Sequence, residues 1–202
     1  MTTKKKTALV KKTIHLKNMV CNCCIRLLRK ELEIDGIVLH DIKLGTVVLS
    51  YDPKKIPLKM IERMLKDFGF EIIVDKEKIL VEQIKQAMID LIHNSTYNAM
   101  VRNSDYLVER FDMSYPYISS LFSKHENTTL EKFTILHKIE KVKELIQYGE
   151  LTLSEIAYMM GYSSVQYLST QFRSVTGVSV TDYKANPTLE RKPLDQLLSD
   201  NR

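Results

Sequence analysis

The chain has 202 residues, 44% hydrophobic and 27% charged, with a formal net charge of +5; these are ordinary values for a globular protein long enough to build two modest cores. No apolar run approaches the roughly 20 residues of a membrane span, and the lysine-rich start is not followed by a hydrophobic signal region, so a cytoplasmic protein without a membrane partner is expected. The five histidines are scattered, and no Ser/His/acid set, phosphate loop or paired-carboxylate motif accompanies them, which argues against an enzyme.

Residues 1–12 read as a basic, solvated tail, and its Lys4, Lys5, Lys6, Lys11 and Lys12 equal the whole charge excess. From residue 13 the pattern becomes short and alternating. Ile14 and Leu16 share one face of a strand over 13–17. After a loop holding Cys21, Cys23 and Cys24, the residues Ile25, Leu28, Leu32 and Ile34 mark an amphipathic helix stopped by Asp35-Gly36. Two strands, 37–44 and 46–51, are joined tightly at Gly45. Pro57 opens a second helix carrying Ile61, Met64, Leu65 and Phe68, and a last strand covers 70–74. Strand, helix, strand, strand, helix, strand predicts an α+β, ferredoxin-like βαββαβ sandwich over 13–75.

The clustered cysteines exclude a distributed disulfide framework and suit a metal or redox site in a reducing compartment. This unit resembles the heavy-metal-associated domains of copper chaperones and metal-transporting ATPases. The likeness rests on Asn18-Met19-Val20-Cys21-Asn22-Cys23-Cys24 against a GMxCxxC pattern, on Leu32-Glu33-Ile34-Asp35-Gly36-Ile37, on residues 47–53 and on Phe68-Gly69-Phe70. Asn18 replaces glycine, and asparagine accepts unusual backbone angles; Cys23 is an extra thiol that offers a competing ligand or an oxidation partner. Cys21 just before the helix and Cys24 in its first turn lie where the helix N-terminus favours thiolate. Two thiolates suit Cu(I), whereas Zn(II) normally takes four ligands and would need Cys23, water or another subunit. Met19 reads as a core plug. No metal at all, and a thiol redox switch, are the other readings of the loop.

From 76 to 95 there is neither Gly nor Pro, and Leu80, Ile84, Met88 and Leu91 recur at helical spacing with Val81 and Ile92. A helix joined directly to the last strand is expected, able to act as a lever on the C-terminal half of the chain. Residues 96–103 form a polar connection. Next comes an internal repeat, SDYLVERFDMSYPYISSLFSK (104–124) and LTLSEIAYMMGYSSVQYLSTQFRSVTGVSVTDYK (151–184), in which Leu107-Val108 matches Ile156-Ala157, Asp112 matches Gly161, and 114–122 matches 164–172. Each copy reads as helix-turn-helix. In the second, Ser154 is placed to cap, Ile156, Met159 and Met160 supply apolar contacts, Gly161 takes a left-handed turn, Ser163 or Ser164 caps the next helix, Leu168 and Phe172 face inward, and Gly177 ends it. Small Ala157 permits a close helix crossing, and Asp112 can hold the left-handed position in the first copy. Between the copies, Phe133, Leu136, Ile139, Val142 and Ile146 give a helix over 129–148 ended by Gly149, on the order of 27 to 30 Å long.

The second copy resembles the second helix-turn-helix of the AraC-type transcription regulators, SxxEIAxxxGYSSxxYxSxxFRxxxGxxPxxYR, with Leu168 for the usual Phe and Val180 for the usual Pro. The resemblance implies an all-α AraC-type domain with two helix-turn-helix units over 76–187, and sequence-specific binding of double-stranded DNA; a homodimer is left open. Carried over by position, Tyr115, Pro116, Ser119 and Ser120 of the first unit and Val165, Gln166, Tyr167, Ser169 and Thr170 of the second face the groove, with Lys124, Arg173 and Lys184 toward phosphates. Ile118, Leu121, Phe122, Leu168 and Phe172 face inward. Gln166 is the best direct reader, since its amide can pair bidentately with adenine. Composition adds nothing here: residues 96–187 hold nine Lys/Arg against ten Asp/Glu. The leading expectation is a regulator responsive to a soft metal such as Cu(I). The alternatives are a regulator with a thiol-redox or non-metal-binding first domain, and a metal-trafficking or buffering protein. Residues 188–202 read as a tail with one short helix near 194–198.

Overall fold

The computed structural model describes residues 9–93, 102–186, 191–194 and 197. The expected tail over 1–8, the end of the helix expected to reach 95, most of the polar connection and most of the C-terminal helix lie outside the described residues. The chain divides into two compact units, Met1–Gln86 and Ala87–Arg202.

In the first unit β1 (Val10–Lys17), α1 (Asn22–Glu31), β2 (Ile37–Lys43), β3 (Thr46–Tyr51), α2 (Leu58–Asp67) and β4 (Glu71–Ile73) follow the expected order. The strands form one antiparallel sheet in the order β2-β3-β1-β4. Alternation along β1 and β3 turns Ile14, Leu16, Val47, Leu49 and Tyr51 into one core with Leu28 of α1 and Ile61 and Leu65 of α2. Each such side chain stabilises the unit by about 1.5–3 kcal/mol. Met19 is fully buried in the same cluster, as a plug should be.

Two boundaries differ from expectation. β1 begins at Val10, because Val10, Lys11 and Lys12 pair with Tyr51, Ser50 and Leu49; the ladder satisfies their backbone while the side chains stay exposed. α1 ends at Glu31, with the Leu32 N–H bonded to the Leu28 carbonyl. Leu32 is nonetheless buried, so the apolar rhythm outlasts the helix.

Leu44 and Gly45 form the hairpin turn, with Gly45 at φ 72°. The helix after β4, α3 (Lys76–His93), contributes Gln86 to this turn: with its amide oxygen and nitrogen exchanged, as the surrounding donors and acceptors require, it donates to the Leu44 carbonyl at 2.8 Å and accepts from the Gly45 N–H at 3.2 Å. The boundary between the units falls just after Gln86, inside α3.

The second unit contains α4 (Asn103–Phe111), α5 (Tyr115–His125), α6 (Leu130–Tyr148), α7 (Leu153–Met159), α8 (Val165–Thr176) and α9 (Val180–Ala185). α6 packs against α5, α7 and α8. Being covered on several sides, it buries Phe133, Ile139 and Val142 and also Thr134, His137, Glu140 and Lys143. The last two form an ion pair at 2.6 Å, and Glu140 also accepts from the Lys192 N–H. Among the described residues no helix is long and apolar enough to cross a membrane.

Candidate nucleic-acid interface and thiol pair

In the second helix-turn-helix, α7 opens on a capping box. The Thr152 hydroxyl accepts from the Glu155 N–H, and the Glu155 carboxylate accepts from the Thr152 N–H at 2.7 Å. The Thr152 hydroxyl, which also donates to that carboxylate at 2.7 Å, and then the Thr152 N–H hold the Glu155 carboxyl below its ordinary range. The cap is therefore Thr152 and not Ser154, which lies inside the helix; the T-x-x-E spacing in the sequence carries that signal. At the other end the Tyr162 N–H reaches the Ala157 carbonyl and the Gly161 N–H the Tyr158 carbonyl, both at 2.9 Å. This double closure needs a left-handed residue, and Gly161 sits at φ 70°. Of the three apolar residues assigned to α7 contacts, Ile156 and Met160 are buried while Met159 is exposed, one step off the inward face. Ser164 then caps α8 by accepting from the Tyr167 N–H, and Gly177 ends it in the left-handed region.

The first unit has the same path with different fixings. Asp112 takes the left-handed position at φ 52°, and neither Arg102 before α4 nor Ser114 before α5 makes a side-chain cap. Val108 is exposed where Ala157 is buried, so the repeat is inexact there.

Ile118, Leu121, Phe122, Leu168 and Phe172 are all buried, which fixes the phase of α5 and α8. Pro116, Ser120, Gln166, Tyr167 and Thr170 are exposed, as are Lys124, Arg173 and Lys184; Tyr115, Ser119, Val165 and Ser169 are half-buried. Tyr117 is exposed too. Some of these groups already have partners. The Thr170 hydroxyl donates to the Gln166 carbonyl, and the Tyr167 ring stands edge-on to Tyr162 at 5.8 Å. The Tyr162 hydroxyl donates to the Gln171 carbonyl oxygen at 2.6 Å.

In the first unit of the chain, Cys21 occupies the N-cap of α1 and the Sγ atoms of Cys21 and Cys24 lie 3.8 Å apart as free thiols. Cys23 is exposed. Burial disfavours a thiolate at Cys21, but the N–H groups of Cys24 and Cys23 and their thiols outweigh it and bring the thiol below its ordinary value. At Cys24 burial and the neighbouring Cys21 charge prevail and push the thiol up. The two thiols of this close pair are thus shifted in opposite directions. Asn18 adopts the left-handed φ of 70°, and its amide donates to the Gly69 carbonyl. Among the described residues no three or more His, Cys, Asp or Glu side chains converge on a point that could hold a metal.

Residues 107–186 match a family model described as a helix-turn-helix domain. Over 129 residues the chain is 21% identical to the Msm operon regulatory protein of Streptococcus mutans serotype c, a match that takes in 62% of this chain and 44% of that protein. The chain therefore spans less than half the length of that curated relative. Among solved structures, the C-terminal domain of AraT, a response regulator from Geobacillus stearothermophilus, matches with a TM-score of 0.47 and 22% identity, covering 59% of this chain and 94% of that one. The family-model match starts within α4 and ends directly after α9, so it takes in the first helix-turn-helix unit from Leu107 onward and all of the second. Residues 107–186 of this chain are thus matched to a helix-turn-helix domain.

Proposed function

We propose that the chain is a sequence-specific DNA-binding transcription regulator of AraC type, whose ferredoxin-like first unit, of heavy-metal-associated type, responds to a soft metal ion such as Cu(I). The observation that carries the DNA reading is the pair of helix-turn-helix units set on one shared helix, α6, whose 19 residues span about 28 Å. That is close to the roughly 34 Å of one duplex turn, so two recognition helices can enter successive major grooves. Gln166 is exposed on α8 for direct readout, while the serines and tyrosines of α5 suit positioning and shape contacts. Selection of duplexes from a randomised pool tests this. A recovered two-part site whose second part loses its base preference in Gln166→Ala supports the reading; equal weakening on every duplex removes Gln166 as a reader, and no selection at all sinks the proposal.

Support for the metal reading is the Cys21 and Cys24 pair at the start of α1, with one thiol drawn toward the thiolate. Soft sulfur donors fit Cu(I), and the lack of a third convergent donor among the described residues suits an ion content with two ligands better than four-coordinate Zn(II). The βαββαβ order with sheet order β2-β3-β1-β4 supports the ferredoxin-like assignment. An anaerobic Cu(I) titration against a chromogenic chelator, with Zn(II) in parallel, is the test. Stoichiometric Cu(I) uptake lost in Cys21→Ser and Cys24→Ser, with a metal-dependent change in DNA affinity, supports sensing. Uptake without any DNA binding would instead make the chain a metal-trafficking protein.

A further inference from the structure

A cavity of about 370 Å³ opens beside α6 between the two helix-turn-helix units, in the size range of small-molecule sites. Lys138 of α6, Tyr115 of α5, Tyr162, and Tyr167 and Gln171 of α8 line it, together with the exposed carboxylate of Glu131. Lys138 is the unusual member. Its ammonium donates to the Met160 carbonyl at 2.8 Å and lies 5.6 Å from the centre of the Tyr162 ring. No other partner and no carboxylate meets it among the described residues. Burial pushes that ammonium below the ordinary lysine value. Three donor protons with one acceptor leave a half-buried cation under-satisfied, a state that a bound anion relieves. Gln171 gives its carbonyl oxygen to Tyr162, which leaves its amide N–H groups without a partner among the described residues.

We propose that this cavity is a phosphate-class anion site, with Lys138 as its cation and the Tyr115 hydroxyl and Gln171 amide as further donors. The phosphate has two candidate sources. One is a small phosphorylated molecule. The other is the DNA backbone itself: Lys138 stands near the middle of α6, where the strand between two successive major grooves would pass. Only this second source rests on the DNA-binding reading.

Lys138→Gln keeps a donor for the Met160 carbonyl and removes the charge; Lys138→Arg restores the charge. In the first arm, inorganic phosphate and phenyl phosphate are titrated into the full chain without DNA, following the amide resonances of Tyr162 and Gln171. In the second, affinity for a selected duplex and for an unrelated duplex is measured across a salt series. A small-molecule site shows saturable phosphate binding that weakens about tenfold or more in Lys138→Gln and returns in Lys138→Arg. A backbone site shows a log-affinity against log-salt slope shallower by about 1 in Lys138→Gln, with the same loss on both duplexes. If neither arm responds to the charge while the variant keeps its fold by circular dichroism, the proposal is overturned. If the wild-type chain binds no duplex, the DNA reading fails by itself and the phosphate titration alone still decides the site.

Discussion

The two helix-turn-helix units follow the same path yet are held by different means. In the second, local hydrogen bonds close every junction: a capping box before α7, a double backbone closure over Gly161, the Ser164 cap and a left-handed Gly177. In the first, neither helix has a side-chain cap, and Asp112 serves where glycine is easier. What the two share is the inward face, with Ile118, Leu121 and Phe122 on one side and Leu168 and Phe172 on the other, against the common α6. A helix-turn-helix therefore tolerates loss of its local fixings as long as the recognition helix keeps its apolar anchor.

The largest effect should be the one on which the two units agree. Phe122 and Phe172 are each fully buried, and Phe122→Ala and Phe172→Ala should each cost about 3–5 kcal/mol through lost burial and a residual cavity. Urea unfolding of the two variants checks this, and a small loss in only one would show that the units do not depend on α6 alike.

Next comes acid. His93 packs edge-on to His137, with the ring nitrogens 3.4 Å apart, and burial first, then the nearby Lys141 charge, lowers its pKa to about 4; Glu144 opposes and Arg191 assists. The folded protein keeps His93 neutral down to about pH 4, while the unfolded chain protonates it near 6.5. Unfolding takes up a proton between those values. Its contribution is thus complete above about pH 6.5 and falls away toward pH 4, by a total on the order of 3 kcal/mol. His93→Gln should flatten this slope in a pH series of urea midpoints. Because His137 lies on the shared α6, acid should loosen both helix-turn-helix units together, which exchange of their amide protons would show.

The capping difference predicts smaller, unequal effects. Thr152→Ala removes an acceptor for the Glu155 N–H and should cost about 1 kcal/mol, whereas Ser114→Ala, which removes no side-chain cap, should leave the urea midpoint unchanged. Equal losses would mean that Ser114 contributes a contact other than capping.

Most of this architecture can be read from the residues, since apolar spacing sets which side of a helix faces in. The phase of α5 and α8, the left-handed Asp112 and Gly161, and the strand-helix order of the first unit all come from local pattern. Where the reading slipped, a neighbouring residue satisfied the same pattern: Thr152 and Ser154 are both good caps, and only the carboxylate of Glu155 decides between them. Met159 and Met160 are likewise indistinguishable until the crossing of α7 on its neighbours fixes the phase. β1 extends into residues that look like tail because β3 offers a partner for their backbone, a non-local fact. Lys138 had no local signal at all. It is one of four lysines within α6, and what sets it apart is the side chains of α5, the second turn and α8 around its cavity.

Asp112 and Gly161 allow the finest comparison, because they hold the same turn at φ 52° and φ 70°. A non-glycine residue there carries left-handed strain, eased for aspartate by its short polar side chain. Asp112→Gly removes that strain but enlarges the freedom of the unfolded chain, and the two effects oppose each other. The net change should be a gain of no more than roughly 0.5 kcal/mol. At Gly161 the reverse exchange has no such balance, since strain would enter a turn whose two backbone hydrogen bonds depend on the angle. Gly161→Asp should therefore lower the urea midpoint clearly, while Asp112→Gly raises it slightly or leaves it in place. A marked loss from Asp112→Gly would show that the aspartate side chain itself fastens the first turn, and that this unit has a local fixing after all.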